Sequence, residues 1–228
     1  MGVDLPVPDH TTISRRAARR MPAVSTALPA GPITLVIDST GLKVYGAGEW
    51  PRDKHGVRGR RTWRKLHLAV DASTNTIVAA TLTTTDDGDA SQVGPLLDQT
   101  TGAIDTVLAD GAYDGDPIYH TVAERDAGAT VVIPPRATAV PGPTAATEPT
   151  QRDRHIQSIA ERGRLGWQRQ TDYGKRSKAE TAMARYKRIL GDHLQARTLP
   201  GQQAEAAIGV AVLNRMIDQA RPNSVRAA

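Results

Sequence analysis

Short runs of apolar and β-branched residues limit what this chain can become. "ITLVID" (33–38), "TVLAD" (106–110) and "TVVIPP" (130–135) are almost unbroken in apolar character. "WRKLHLAVDASTNTIVAATLTTT" (63–85) holds two more runs on either side of the turn DASTN. Such runs are too short for helices, and strands covered on both faces read in this way. Within 63–85, Leu66, Leu68 and Val70 alternate with polar or small residues, the period-two mark of a hairpin. "TDDGDASQVGPLLDQ" reads as a loop followed by a short helix, with Asp89 placed to cap it. "DPIYHTVAERDAG" reads as a helix with Asp116 as N-cap, Pro117 in the first position and Gly128 beyond its end. The order is three strands, then helix and strand alternating twice, then helices. It predicts an α/β fold, a mixed five-stranded sheet with helices on both faces.

Residues 136–151 are rich in Ala, Thr and Pro and read as a loop insertion. The pattern turns helical from about residue 152, where Gly163, Gly166 and Gly174 interrupt it. A strong run from Ser177 to Leu190 follows, with Ala179, Met183, Tyr186 and Leu190 as its buried stripe. A last helix, roughly 202–219, carries Ile208, Ala211, Val212 and Met216 at core spacing. Phe is absent and aromatics are only 4% of the chain, so Leu, Ile, Val and Ala must build the core. The lack of Cys excludes disulfides and thiolate chemistry and fits a reducing compartment. No run approaches the length of a membrane span. The domain reading is a basic irregular arm over 1–31, a folded domain over 32–220 and a tail over 221–228. "RRAARRMPAVSTALPA" in the arm is too weakly apolar, and too broken by Pro, for a secretory leader.

Positive charge is concentrated. Arg52 to Lys65 carries five Arg, two Lys and one Asp, a net +6 that exceeds the +5 of the whole chain. Trp50 and Trp63 bracket it. Basic side chains beside aromatics suit phosphate contacts with base stacking. Arg58, Arg60, Arg61, Trp63, Arg64 and Lys65 are therefore candidate DNA contacts, and a solvated loop is the alternative. "RRAARR" (15–20) and residues 152–170, with Trp167, add to the positive charge.

Two apolar strands end in Asp, at Asp38 and Asp110. Each could cap the turn that follows it, "STG" after Asp38 and Gly111 after Asp110. If the two strands are central neighbours, the carboxylates instead meet at one sheet edge. A lone buried carboxylate is costly without a partner. Asp71 belongs to the hairpin turn and reads as structural. Asp86, Asp87 and Asp89 do not match a calcium loop, and Asp114 and Asp116 flank a helix start. Glu180 closes "SKAE" (177–180), a capping box in which Ser177 caps and Glu180 reaches back. The cap leaves Tyr173, Arg176 and Lys187 unexplained, and a metal-binding Glu180 is the other reading.

Tyr173, Arg176, Glu180 and Lys187, with two, three and six residues between them, resemble the Tyr-Arg-Glu-Lys signature of bacterial insertion-sequence DDE transposases. "LVIDST" (35–40) and "VLADGAYD" (107–114) are similar to that family's two Asp strands, and the likeness runs over roughly residues 9–218. The resemblance implies a ribonuclease H-like domain in which Asp38, Asp110 and Glu180 bind two Mg²⁺ ions, with Mn²⁺ as the expected substitute. It implies that Tyr173, Arg176 and Lys187 grip a DNA end, and that the reaction is strand cleavage followed by 3′-OH strand transfer. The implied partners are duplex DNA, as element end and target, and a second copy of the chain on that DNA; the implied location is the cytoplasm, with the nucleoid. The family usually carries a longer region before its first Asp strand than the 37 residues found here. The expectation is therefore a truncated or split copy, with a non-catalytic DNA-binding remnant or a metal-dependent nuclease as alternatives.

Overall fold

β1 runs Ile33–Val44, well past the Asp expected to close it. The run stops being continuously apolar at Asp38, yet Leu42 is fully buried and the chain stays extended. Gly41 lets the Trp63 ring pack closely there, where a Cβ would lie 3.2 Å from it. The structure, a computed structural model, describes residues 31–44 and 62–220, together with Thr12 and Arg16. Most of the expected arm (1–31), Trp50, the DNA candidates Arg58, Arg60 and Arg61, and the tail 221–228 lie outside the described residues.

The expected hairpin forms. β2 (Trp63–Asp71) pairs antiparallel with β1, and β3 (Ile77–Thr83) antiparallel with β2. Asp71 is fully buried and holds the turn, accepting bonds from the Ser73 amide (3.0 Å), the Ser73 hydroxyl (2.9 Å) and the Thr74 hydroxyl (2.6 Å). Next come a 3₁₀ turn (Asp89–Gln92), α1 (Val93–Gln99), β4 (Ile104–Leu108), α2 (Asp116–Arg125) and β5 (Thr130–Val132). α3 (Gln151–Gln170), α4 (Ser177–Leu190), β6 (His193–Leu194) and α5 (Leu199–Ala220) complete the chain.

The strand order is β3-β2-β1-β4-β5, with β4 parallel to β1 and β5 parallel to β4. This mixed sheet is ribonuclease H-like. It has six strands rather than five, because β6 pairs with the far end of β1, at Lys43 and Val44, beyond the reach of β4. Strand alternation sends residues to two faces. Leu35, Ile37, Ala69 and Val107 pack against Leu96 and Leu97 of α1 and Ile118 and Val122 of α2. Val36, Leu66, Leu68 and Leu108 face the other way, toward Trp167 of α3, Ala179 and Tyr186 of α4, and Val210 and Leu213 of α5. Among the described residues, no helix is long and apolar enough to cross a membrane.

Several local expectations fail. Asp89 does not cap; it lies inside its 3₁₀ turn and pairs with Lys65 at 3.2 Å. α2 is capped by Gly115, so Asp116 is its first helical residue. Leu190 is 38% exposed, although Ala179, Met183 and Tyr186 are buried as expected. α5 is turned relative to its expected core stripe. Ile208, Val212 and Met216 are 43–45% exposed, while Ala204, Ala206, Gly209, Val210, Leu213 and the polar Gln202 and Asn214 are buried. Small residues join Val210 and Leu213 on that face because α5 passes close to α4: a Cβ on Gly209 would lie 2.8 Å from Leu190. Asn214 is satisfied on that face, accepting from the Ile77 amide (3.0 Å) and donating to the Ile77 carbonyl (2.7 Å).

Candidate active site

The parallel pairing of β1 and β4 sets Val36 opposite Leu108. Asp38 and Asp110 each lie two residues beyond that pair, close enough for the Asp110 charge to act on the Asp38 carboxyl, and alternation puts both on the face of Val36 and Leu108, which carries α3 and α4. Asp38 does not sit beyond the sheet capping "STG", as one reading of the sequence expected. It lies within β1, its side chain only 14% exposed, and accepts a bond from the Ser39 amide at 2.8 Å. Asp110 does cap its turn, accepting from the Ala112 amide at 2.8 Å at the head of the 3₁₀ turn Gly111–Tyr113. Gly111 suits that turn, since a Cβ would come within 3.2 Å of the Pro134 carbonyl oxygen.

The signature residues reach this edge from the other layer. Tyr173 to Arg176 form a 3₁₀ turn that runs directly into α4. Tyr173 leans on Trp167, ring centroids 5.2 Å apart. The Trp167 indole donates to Nδ1 of His155 at 2.9 Å, and Nε2 of His155 contacts the Val131 carbonyl at 2.7 Å. That pattern requires a neutral imidazole protonated on Nε2, and burial lowers the His155 pKa accordingly. Trp167 is therefore no stacking platform for DNA. It is fully buried and ties β5 and α3 to the Tyr173 turn.

Arg176 joins the two layers. One guanidinium nitrogen donates to Oδ2 of Asp38 at 2.9 Å, and another to Oε1 of Glu180 at 2.5 Å. The side chain of Glu180 is 58% exposed, and its helix is not closed by a capping box: Ser177 is the first residue of α4 and donates instead to the Gly174 carbonyl at 3.0 Å. Burial pushes the Asp38 carboxyl above its ordinary value. The Ser39 amide and the Arg176 charge pull the other way, and the charge of Asp110 pushes it up again. An open groove of about 610 Å³ runs alongside, lined by Leu165, Arg169, Tyr173, Arg176 and Glu180 among others. Lys187 lies two turns further along α4.

The edge thus gathers hard oxygen donors. That donor set fits a divalent ion such as Mg²⁺. Among the described residues, no three Asp, Glu or His side chains stand preassembled as metal ligands; Arg176 is wedged between two of the candidates. Asp114, four residues after Asp110, serves the fold through Arg152 and the Arg136 amide. Of the basic candidates, Trp63 is 37% exposed and begins β2. Arg64 donates to Gln202 at 2.8 Å, and Lys65 to the Asp87 carbonyl at 2.8 Å. Trp63 is paired with Lys43, roughly 16 Å along β1 from Asp38.

Comparison with protein families identifies the domain. A family model described as "Transposase DDE domain" matches residues 29–215, and a second model with the same description matches residues 1–47.

Proposed function

Since the chain belongs to the transposase DDE domain family, we propose that it performs metal-dependent phosphoryl transfer on DNA, cleaving a strand at an element end and joining the freed 3′-OH to target DNA. The observation that carries this reading is Arg176, bonded at once to Asp38 and Glu180 beside Asp110. Asp38, Asp110 and Glu180 would hold the metal. Two bound Mg²⁺ ions would stabilise the attacking and leaving oxygens of an in-line displacement.

The chain's own residues supply the rest. Asp38 is held by β1 and by the Ser39 amide, so its carboxylate is fixed in direction. Asp110 is held by its turn. Glu180 stands at the solvent side, where it can adjust. Tyr173, braced by Trp167, and Arg176 border the groove that would receive the DNA end. A guanidinium suits this role because its planar fork matches a phosphate. Both chemical steps are displacements at phosphorus, so no covalent protein intermediate is needed and the absence of Cys is no handicap. On this reading the partners are duplex DNA and a second copy of the chain, and Arg58, Arg60, Arg61, Trp63, Arg64 and Lys65 add backbone contacts.

The test is joining of a labelled 3′-OH duplex to plasmid in Mg²⁺ or Mn²⁺. The expected result is joining by the native chain and a loss of more than about a hundredfold in Asp38→Asn, Asp110→Asn and Glu180→Gln, since even the outer partners of metal ligands cost 10–100-fold. Equal joining by native chain and Glu180→Gln would sink the proposal. Cutting without joining would favour a nuclease, and binding without either would favour a DNA-binding remnant.

A further inference from the structure

The carboxylate edge already contains a cation, and that cation is part of the chain. Arg176 forks between two carboxylates that lie on different layers, 2.9 Å from Asp38 and 2.5 Å from Glu180. Of the nearby cations, Lys175 pairs with Asp172 at 2.9 Å and Arg164 with the Pro135 carbonyl at 3.1 Å, and Arg169 lines the same groove. Arg176 borders the open groove with Tyr173 and retains 23% exposure. It ends the 3₁₀ turn that enters α4. A DNA phosphate offers the guanidinium fork two non-bridging oxygens on one group, where the carboxylates give it one oxygen each.

We propose that Arg176 is a built-in competitor for the metal, occupying Asp38 and Glu180 in the DNA-free protein and leaving them for a DNA phosphate. This rests on the reading of Asp38, Asp110 and Glu180 as metal ligands. The physical argument is charge balance. One guanidinium against Asp38, Asp110 and Glu180 leaves the edge negative, enough to attract a divalent ion yet with two of its ligands already engaged. A phosphate that takes the guanidinium frees both carboxylates together. Metal loading and DNA binding are then coupled, and coupling between two binding equilibria is reciprocal: each raises the affinity for the other by the same factor. The arrangement keeps a nuclease-competent centre poorly loaded until a DNA end is present.

The test is calorimetric titration of Mn²⁺ into the DNA-free full chain. Arg176→Gln should bind Mn²⁺ at least about tenfold more tightly than the native chain, because close charges act strongly at a partly buried site. Arg176→Lys keeps the charge, cannot fork between two carboxylates, and should fall between the two. Arg164→Gln, which removes an equal charge from the same region, should change the affinity little. In parallel, anisotropy of a labelled duplex should show Mn²⁺ tightening DNA binding in the native chain and losing that effect in Arg176→Gln. Unchanged or weaker Mn²⁺ binding in Arg176→Gln, an equal gain in Arg164→Gln, or undiminished coupling in Arg176→Gln would each overturn the inference. Asp110→Asn separates the two levels. Mn²⁺ binding that survives Asp110→Asn overturns the metal-site reading and this inference with it. Binding that depends on Asp110 and ignores Arg176 overturns this inference alone.

Discussion

Asp114 with Arg152 and Asp38 with Arg176 are the same two functional groups in two different states. Arg152 meets Asp114 with both prongs, Nε to Oδ1 at 2.7 Å and an outer nitrogen to Oδ2 at 3.0 Å, and the Arg136 amide adds a third bond at 3.0 Å. Arg176 gives Asp38 one prong and Glu180 the other. Burial pushes both Asp carboxyls up. At Asp114 the Arg152 and Arg136 bonds overcome burial and hold the carboxyl below its ordinary value, whereas at Asp38 burial prevails. A carboxylate with its hydrogen-bonding capacity filled fastens one segment to another, here the end of the Gly111–Tyr113 turn to the first turn of α3. A carboxylate that shares its arginine keeps capacity for a different cation. The first arrangement serves the fold and the second serves an exchange.

Removing each arginine tests that division. Arg152→Ala leaves Asp114, whose side chain is 1% exposed, charged and without its main partner. Breaking a buried pair from one side costs about 3–5 kcal/mol. Arg176→Ala should cost clearly less, because Asp38 keeps the Ser39 amide and loses one guanidinium bond rather than two. Denaturant unfolding of both variants measures the difference. Equal losses would break the comparison.

Acid should separate the two carboxylates by sign. The folded pKa of Asp114 lies below the ordinary 3.8, so its contribution is present above that value and is lost as pH falls through the folded pKa. The folded pKa of Asp38 lies above 3.8, so its relative contribution is complete below that value and is lost as pH rises through the raised pKa. Melting temperatures from about pH 3 to about pH 7 should therefore respond in opposite ways. Asp114→Asn should lose stability chiefly at neutral pH and flatten the acid limb. Asp38→Asn should be nearly neutral or slightly stabilising at pH 7 and lose that advantage in acid. The same direction of change in both variants would show that the two pairs do not differ as described.

What was legible in the sequence follows the same line between local and distant effects. The strands were legible because continuous apolar runs have few alternatives, and Asp71 was legible because DASTN contains its own partners. The carboxylate edge was legible from two strand-end acids and a four-residue signature. The Asp38–Arg176 contact was not, because it joins positions 138 apart and depends on how α4 lies across the sheet. β6 is two residues long and exists only because β1 outruns β4. α5 misled because Ile208, Val212 and Met216 mark the outer face, while the inner face combines Val210 and Leu213 with alanine and glycine where it passes Tyr186 and Leu190. Trp167 sits in a strongly basic helix, and nothing in that composition signals that His155 and Tyr173 enclose it.

The smallest expected effect concerns the helix starts beside the two pairs. "SKAE" has the residue types of a capping box, and a true Ser cap removed by Ala costs about 0.5–2 kcal/mol. At α4 the preceding 3₁₀ turn already occupies that role. Arg176 takes the cap position with helical angles (φ −54, ψ −31) and its side chain makes no capping bond, the Ser177 amide reaches back to the Gly174 carbonyl, and Glu180 accepts from Arg176. A working box stands at α3 instead, where the Thr150 hydroxyl accepts from the Asp153 amide at 3.1 Å and Asp153 accepts from the Thr150 amide at 3.0 Å. Thr150→Ala should therefore show the loss of about 0.5–2 kcal/mol expected of a cap. Ser177→Ala, at an exposed position with one hydroxyl bond, should stay within about 0.5 kcal/mol of the native chain. Thermal unfolding of the two variants side by side measures both. A Ser177→Ala loss as large as that of Thr150→Ala would mean that α4 is capped in solution by Ser177 and Glu180, and that Glu180 is not free to share Arg176 with Asp38.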